Sequence, residues 1–577
     1  MLISGCARAS KQLKKRKQNM RYHYYTQRGG SVFSPIDYLM ASLFWVLGLA
    51  VVIIVLVTLR IALAQFVYYM QDYTTGFLKV RDIVDAAKRE DAWRLGEHHP
   101  VDEYADFSLT LGATVSSGLS QPFIIPGDYR TTHMYVVGAS GSGKSSLLKN
   151  LIAQDIRDKM GLCVIDPHGD LIYDMVSQLG SRQAQTVLLD LADTDYLIAY
   201  NPLERRKGVL VAEQVAKLIL AFKRIWADSW GPRMEDILRH TLALLIEQGY
   251  TLCEFERVLT DADFRDMLID NSMIDQTREY FLGRYNTWNA KERQLFIESS
   301  LNKVSAFLAD PRIGARMGQQ HSGFNVKDIM DSGGILLVNL AKGKLAGNAD
   351  LFGALLMADI EMSFLSRQPN ERKPFALYVD EFQNIATESF ETVLAEARKF
   401  GLCLTMAHQS LKQVDDKLAS LILGNAQTQV YFRVGREDAE RLAKESANII
   451  SQLIEQDEPP LMQERERKFA MNELWEAAFH SLARLEPRKA YVMIKGAMEH
   501  PELIRTIDNP VSKTVKFQYG ETYSKLEALD ATLKQRGKDI EQETQSYLDN
   551  RKAEQAKTKK DIPNAKGEAP KSLDFLN

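Results

Sequence analysis

A chain of 577 residues, 45% hydrophobic and 25% charged, has ordinary globular composition and room for roughly two to four domains. With 72 basic against 75 acidic side chains and a net charge of −3, it is not a uniformly basic, histone-like binder, although the balance leaves open a basic channel lining. The four cysteines, Cys6, Cys163, Cys253 and Cys403, lie far apart and give neither a metal-ligand spacing nor a disulfide framework.

In chain order, residues 1–36 read as a basic tail, with Lys11, Lys14, Lys15, Arg16, Lys17, Arg21 and Arg28 before any acidic residue. Ile3-Ser4-Gly5-Cys6 looks superficially like a lipoprotein cleavage site but lacks the apolar segment that should precede it. Residues 37–79 hold the anchor. Tyr38 to Leu59 carries no charge and is long enough to cross a hydrocarbon core of about 30 Å as one transmembrane helix. The run is too long, and too far from the start, for a secretory signal. Ile61–Met70 is bracketed by Arg60 and Asp72 and is too short to span alone. Residues 80–131 read as a stalk helix over Val80–Glu97, then short strands and turns such as Phe123-Ile124-Ile125-Pro126-Gly127.

The stretch Val136 to Leu148 is an apolar strand, a glycine-rich loop and an apolar helix in succession. Gly138-Ala139-Ser140-Gly141-Ser142-Gly143-Lys144-Ser145 fits G-x-x-x-x-G-K-[ST] without a mismatch. Glycines let successive backbone N–H groups converge on phosphate oxygens, Lys144 neutralises β/γ charge, and Ser145 ligates Mg²⁺. The helix that opens at Lys144-Ser145-Ser146 adds its positive N-terminal end. ATP and Mg²⁺ are the cofactors this loop implies. A plain Gly/Ser turn would not require lysine followed by a hydroxyl.

The loop also bears on orientation. Basic residues before the span favour a cytoplasmic N-terminus, which with a single crossing puts the loop where ATP is absent. A start at Met20 would remove most of that basic cluster. The need for ATP places the large domain in the cytoplasm.

Further apolar runs follow: Cys163-Val164-Ile165-Asp166, Thr186 to Asp190, Ile335 to Asn339, Phe375 to Val379, Leu402 to Gln409 and Gln429 to Val434. Alternating with helical segments, they imply an α/β fold with a parallel sheet covered on both faces. Ala490–Ile494 is expected to close that sheet. Between Val209 and Gln320 apolar residues recur at helical spacing, as in Val215, Leu218, Ile219, Phe222 and Ile237, Leu238, Leu242, Leu245, which reads as an all-α insertion. The expected division is 132–208 with 321–510 for the nucleotide domain, 209–320 for the insertion, and 511–577 for a charged, partly disordered tail. Residues Glu541–Asn577 are assigned to recruiting a partner.

Asp380-Glu381 ends an apolar strand. An acid there holds a Mg²⁺ shell through water, and a following glutamate polarises the attacking water; alone such a pair is more often a solvated turn. Gln409 ends the next strand, either as a γ-phosphate sensor or as an ordinary polar strand end. Arg398, in Ala395-Glu396-Ala397-Arg398-Lys399-Phe400, is either a solvated helix residue or an arginine finger for a neighbouring subunit. Asp166-Pro167-His168-Gly169-Asp170 fits a turn with a capping aspartate as well as an active-site turn. Arg233 suits a structural pairing as well as a subunit or DNA contact. Lys342 and Lys344 are candidate DNA-tracking residues or a solvated basic turn.

Taken together, GASGSGKSSLL, LYVDEFQNI, EARKFGLCLTMAHQ, VYFRVGREDAERLAKE and WGPRMEDILR resemble the membrane-anchored coupling ATPases of type IV secretion and conjugation, a group related to septal DNA translocases and archaeal HerA-type helicases. The resemblance covers roughly Thr132 to Ile504 and rests on motif order as well as on the loop. It implies a RecA-like P-loop NTPase domain with an inserted all-α domain, and a homohexameric ring in the inner membrane of a prokaryote. It further implies a ring that pumps DNA, expected single-stranded, with a relaxase attached, into a secretion channel. It makes Arg398 the finger acting in trans and Gln409 the sensor. Family members commonly carry two N-terminal spans, whereas one is clear here. The alternatives are an ATPase that delivers protein substrates only, and a receptor that binds ATP without turning it over. Intact Lys144, Asp380 and Glu381 count against the receptor. A transporter of the ABC type is disfavoured because no LSGGQ-like signature lies between the two nucleotide motifs.

Overall fold

The computed structural model describes residues 108–115, 120–369, 372–386, 390–445, 479–498, 501–507, 509 and 515–560. The expected transmembrane span lies outside them, and among the described residues no helix is long and apolar enough to cross a membrane.

Among the described residues, eleven strands form one sheet. Its parallel part holds β3 (Met134–Val137), β4 (Gly161–Asp166), β5 (Thr186–Asp190), β7 (Ile335–Asn339), β8 (Phe375–Val379), β9 (Leu402–His408) and β10 (Thr428–Tyr431). They run in the order β10-β3-β9-β8-β4-β7-β5. β3, β4, β7, β8 and β9 are buried along their whole length, as strands covered on both faces must be, which is why each reads as an unbroken apolar run. Four antiparallel strands extend the sheet beyond β10: β11 (Lys489–Ile494), β12 (Glu502–Thr506), β1 (Leu109–Thr114) and β2 (Pro122–Ile125). The segment Ala490–Ile494 therefore does not close the sheet. It is an inner strand, and the edge belongs to β2, drawn from the far N-terminal side of the loop. A short separate pair joins β6 (Leu197–Ile198) to β13 (Tyr523–Ser524).

Each face carries its own core. On one, α1 (Lys144–Arg157) and α2 (Asp170–Val176) bury Leu147, Leu151, Leu171 and Ile172 against Val136, Val164 and Leu337. On the other, Tyr135, Ile165 and Leu189 join α10 (Gly347–Leu365) and a helical layer. That layer comprises α3 (Val211–Ile225), α4 (Pro232–Gln248), α5 (Phe255–Thr260), α6 (Ala262–Asn271), α7 (Asp275–Gly283), α8 (Ala290–Leu308) and α9 (Pro311–Met317). The apolar stripe of α3 is Val215, Leu218, Ile219 and Phe222, all buried. The central helix α10 is buried nearly all round, and its two interior acids are matched by α3 and its leader: Arg206 Nη2 lies 2.7 Å from Asp359 and Lys217 Nζ 2.5 Å from Glu361.

Within the tail expected to be charged and partly disordered, Leu526–Lys560 forms one helix, α11. It packs on the helical layer through Leu529 and Ile540. Glu543 accepts a 3.0 Å bond from Tyr250, Gln319 donates to the Leu529 carbonyl at 3.1 Å, and Tyr547 donates to Asp270. Its buried positions are widely spaced among charges, so one narrow stripe suffices to dock it. Residues 511–514 and 561–577 of the tail lie outside the described residues.

Candidate nucleotide site

Parallel register brings the ends of four strands together. Val137 pairs with His408, Val379 with Met406, and Ile165 with Val379, so the loop after β3, Gln409 after β9, Asp380-Glu381 after β8 and Asp166 at the end of β4 share the carboxyl edge of the sheet. Open parallel sheets bind their ligands at that edge.

The loop's shape depends on two of its glycines. Gly138 leaves no room for a Cβ, which would lie 2.5 Å from the Phe432 Cβ. Gly143 holds φ +117°, a left-handed conformation open to glycine. Gly141, Ala139, Ser140 and Ser145 lie at or near the surface, while the Ser142 Oγ is buried and makes no hydrogen bond. Lys144 begins α1, and its Nζ donates to the Gly138 carbonyl at 2.7 Å. Burial lowers the Lys144 pKa, against the attraction of Asp380 and Glu381.

Asp380 is pushed up to about 6, first by burial and then by the neighbouring Asp166 and Glu381, which outweigh Lys144. A carboxylate crowded by two others is a site deficient in positive charge, and a divalent cation is what corrects it. Glu381 sits at φ +47°, a left-handed conformation that costs a non-glycine residue roughly 1–2 kcal/mol and is tolerated where function demands it. Two amides fix its carboxylate: Gln409 Nε2 donates to Oε1 and Gln383 Nε2 to Oε2, both at 2.6 Å. Gln409 is thus joined directly to Glu381 rather than being a solvated strand end.

Asp166 caps α2: its two oxygens accept from the His168 and Leu171 N–H groups, both at 2.9 Å. Arg398 is not at this edge. It precedes β9, at the opposite end of strands parallel to β3, where its charge adds to burial in lowering the His133 pKa to about 4. It is exposed and remote from its own chain's loop. Lys342 pairs with Asp350 at 2.9 Å, Lys344 is exposed, and the Arg233 guanidinium lies 3.7 Å over the Phe296 ring, a cation–π contact.

Three neighbours of the site carried no sequence signal. Gln383 lies in the short turn Phe382-Gln383-Asn384 after Glu381. His408, fully buried and bonded through Nε2 to the Tyr135 hydroxyl at 2.5 Å, has its pKa lowered to about 3 by burial and then by Lys144. Arg488 sits over the loop from some 345 residues away, its N–H donating to the Ser142 carbonyl at 2.7 Å.

The fold and this edge define a P-loop nucleotide-binding protein of the mixed α/β class, with a large, mainly parallel sheet. A family model described as the type IV secretion-system coupling protein DNA-binding domain matches residues 122–458, more than half of the chain. The chain belongs to the type IV secretion-system coupling protein family. Among solved structures it is similar to the bacterial conjugative coupling protein TrwBΔN70 in its unbound form (16% identity, 73% of this chain and 93% of that one, TM-score 0.46). It is also similar to the plasmid coupling protein TrwB in complex with ADP and Mg²⁺ (17%, 73% and 100%, 0.46) and to VirB4 of Thermoanaerobacter pseudethanolicus (15%, 71% and 99%, 0.46). No curated protein matches the sequence.

Proposed function

We propose that this protein is a membrane-anchored, ATP-driven DNA translocase that couples a DNA or relaxase–DNA substrate to a type IV secretion channel. It works as a homohexamer in the inner membrane of a prokaryote, with its ATPase domain in the cytoplasm. The observation that supports this reading is the meeting of the lysine loop with Asp380, Glu381 and Gln409 at one sheet edge, in a family whose model describes a DNA-binding domain.

When bound, ATP with Mg²⁺ supplies the phosphoanhydride to be cleaved and a cation for the crowded acids. The backbone of Gly138 to Gly143 and the N-terminal end of α1, with Ser146 in its first turn, hold the phosphates. Lys144 leaves the Gly138 carbonyl to neutralise β/γ charge. Ser145 would ligate the metal and Asp380 would hold its water shell. Glu381, fixed by two amides, takes the proton of the attacking water, and Gln409 ties that carboxylate to the next strand as a sensor. Arg398, lying at the other end of its own sheet, acts as a finger on the neighbouring subunit's nucleotide. Lys344 is the loop lysine assigned to the DNA backbone.

The test is ATP turnover by the full chain in detergent, with and without single-stranded DNA, across protein concentration. The expected result is DNA stimulation with specific activity rising steeply with concentration, lost in Arg398→Ala. Glu381→Gln should lower turnover by about 10²–10⁴-fold. Unchanged turnover in Glu381→Gln would sink the hydrolysis assignment, and turnover indifferent to DNA would favour delivery of protein substrates.

A further inference from the structure

Beside the loop lies a cavity of about 1100 Å³ that neither Asp380, Glu381 nor Gln409 lines. Its walls include Ser146 and Lys149 on α1, Tyr173 on α2, and Arg488, Phe517 and Tyr519 from the C-terminal part of the chain. The volume lies just above the range of about 300–1,000 Å³ usual for small-ligand sites. Ser146 is two residues past Lys144 in the first turn of the helix. The cavity therefore opens where a phosphate chain laid on the loop passes into its organic half.

The C-terminal wall is built rather than incidental. Arg488 clasps two elements: its N–H donates to the Ser142 carbonyl at 2.7 Å, and its carbonyl accepts from the Thr506 N–H at 2.9 Å. The end of β12 is thereby pinned to the loop. Residues 515–523 are tied to the far edge of the sheet. Gln518 N–H donates to Gln183 at 3.1 Å, Tyr519 to Asp193 at 3.0 Å, and Tyr523 to the Leu188 carbonyl at 3.2 Å. Tyr519 stacks on Tyr196 with ring centroids 4.1 Å apart, and Phe517 stands edge-on to Tyr519 at 5.1 Å. Phe517 is thus a half-buried ring held in orientation at the cavity wall.

We propose that this cavity seats the nucleoside of the triphosphate whose phosphates lie on the loop, with Phe517 as the stacking surface for the base. The inference rests on the nucleotide reading above. Its stacking surface and the rest of the C-terminal wall, Arg488, Phe517 and Tyr519, lie beyond the 122–458 that the family model matches, so family membership assigns none of those three. Every base offers a π-face, so a site built on one ring tolerates different bases. ATP and GTP should bind with similar affinity.

The experiment titrates the full-length protein with ATP and, separately, with inorganic tripolyphosphate, by calorimetry. Phe517→Ala should weaken ATP about tenfold, the size of a lost base–aromatic stack, and leave tripolyphosphate within roughly twofold of the parent. Phe517→Leu keeps apolar bulk in the cluster and should show the same split. Lys144→Ala should weaken both ligands. If both Phe517 variants keep parental ATP affinity, or lose ATP and tripolyphosphate in equal measure, the nucleoside seat is wrong while the loop stands. If Lys144→Ala binds both ligands as the parent does, the loop assignment itself falls, and this inference with it.

Discussion

Strand β8 and the residue just after it carry two side chains that meet buried charge in opposite ways. Tyr378 donates to Asp155 at 2.5 Å, and Asp155 also receives Arg130 Nη2 at 2.7 Å. The pairing with Asp155 holds the Arg130 guanidinium charged in spite of burial. Two residues on, Asp380 faces Asp166 and Glu381 with Lys144 as its opposing charge, and its pKa rises to about 6. The first position is internally neutralised, and the second, just past the strand's carboxyl end, is left short of positive charge. The lesson is that burial alone does not mark a site; a buried carboxylate whose surroundings repel it does.

Three changes would break that contrast or sharpen it. Arg130→Ala strands Asp155 in the core and should cost about 3–5 kcal/mol in a denaturant melt; a loss below 1 kcal/mol would show that the pair is not the compensated one. Asp380→Asn should act in the other direction. It relieves a repelled charge and should raise the stability of the nucleotide-free protein by on the order of 1 kcal/mol, while Mg²⁺-dependent nucleotide binding is lost. A melt that shows destabilisation would contradict the crowding argument. Smallest is Lys344→Ala beside Lys342→Ala. Lys342 already pairs with Asp350, so replacing the exposed Lys344 should reduce the salt slope of DNA binding by about one with little effect on stability.

The same contrast predicts a pH dependence. The folded pKa of Asp380, about 6, exceeds its unfolded value of about 3.9, so between the two the native state binds more protons. Stability from this group is therefore present below about pH 4 and is lost as pH rises through 6. Thermal melts of the parent and Asp380→Asn should diverge over that window, with the parent falling relative to the variant as pH increases. Parallel curves would remove Asp380 as the titrating group.

Much of the site was legible because it is local. The loop needs eight consecutive residues, and Asp380-Glu381 and Gln409 each follow an apolar strand whose end register places them. The helical layer was legible from the 3.6-residue spacing in α3 and α4. What escaped depends on distance along the chain. β1 and β12 read as unremarkable short segments until they pair, and Arg488 reaches the loop only because β11 lies beside β10. Gln383 and His408 gave no signal because their roles are set by what the fold turns toward them, Glu381 and Tyr135. The docking of α11 was not legible because a docked helix needs few apolar residues when its partner layer is already formed.

The antiparallel wing has a consequence for how the molecule is made. β1 finds its partner in β12, where Gly112 sits opposite Thr506, roughly 390 residues later. At ribosomal speeds of about 5–20 residues per second, that delay is tens of seconds. Through that interval the β1–β2 hairpin emerges with an unsatisfied strand edge, the kind of surface that recruits foreign strands. The last strand of the sheet to be synthesised is the one that covers the first.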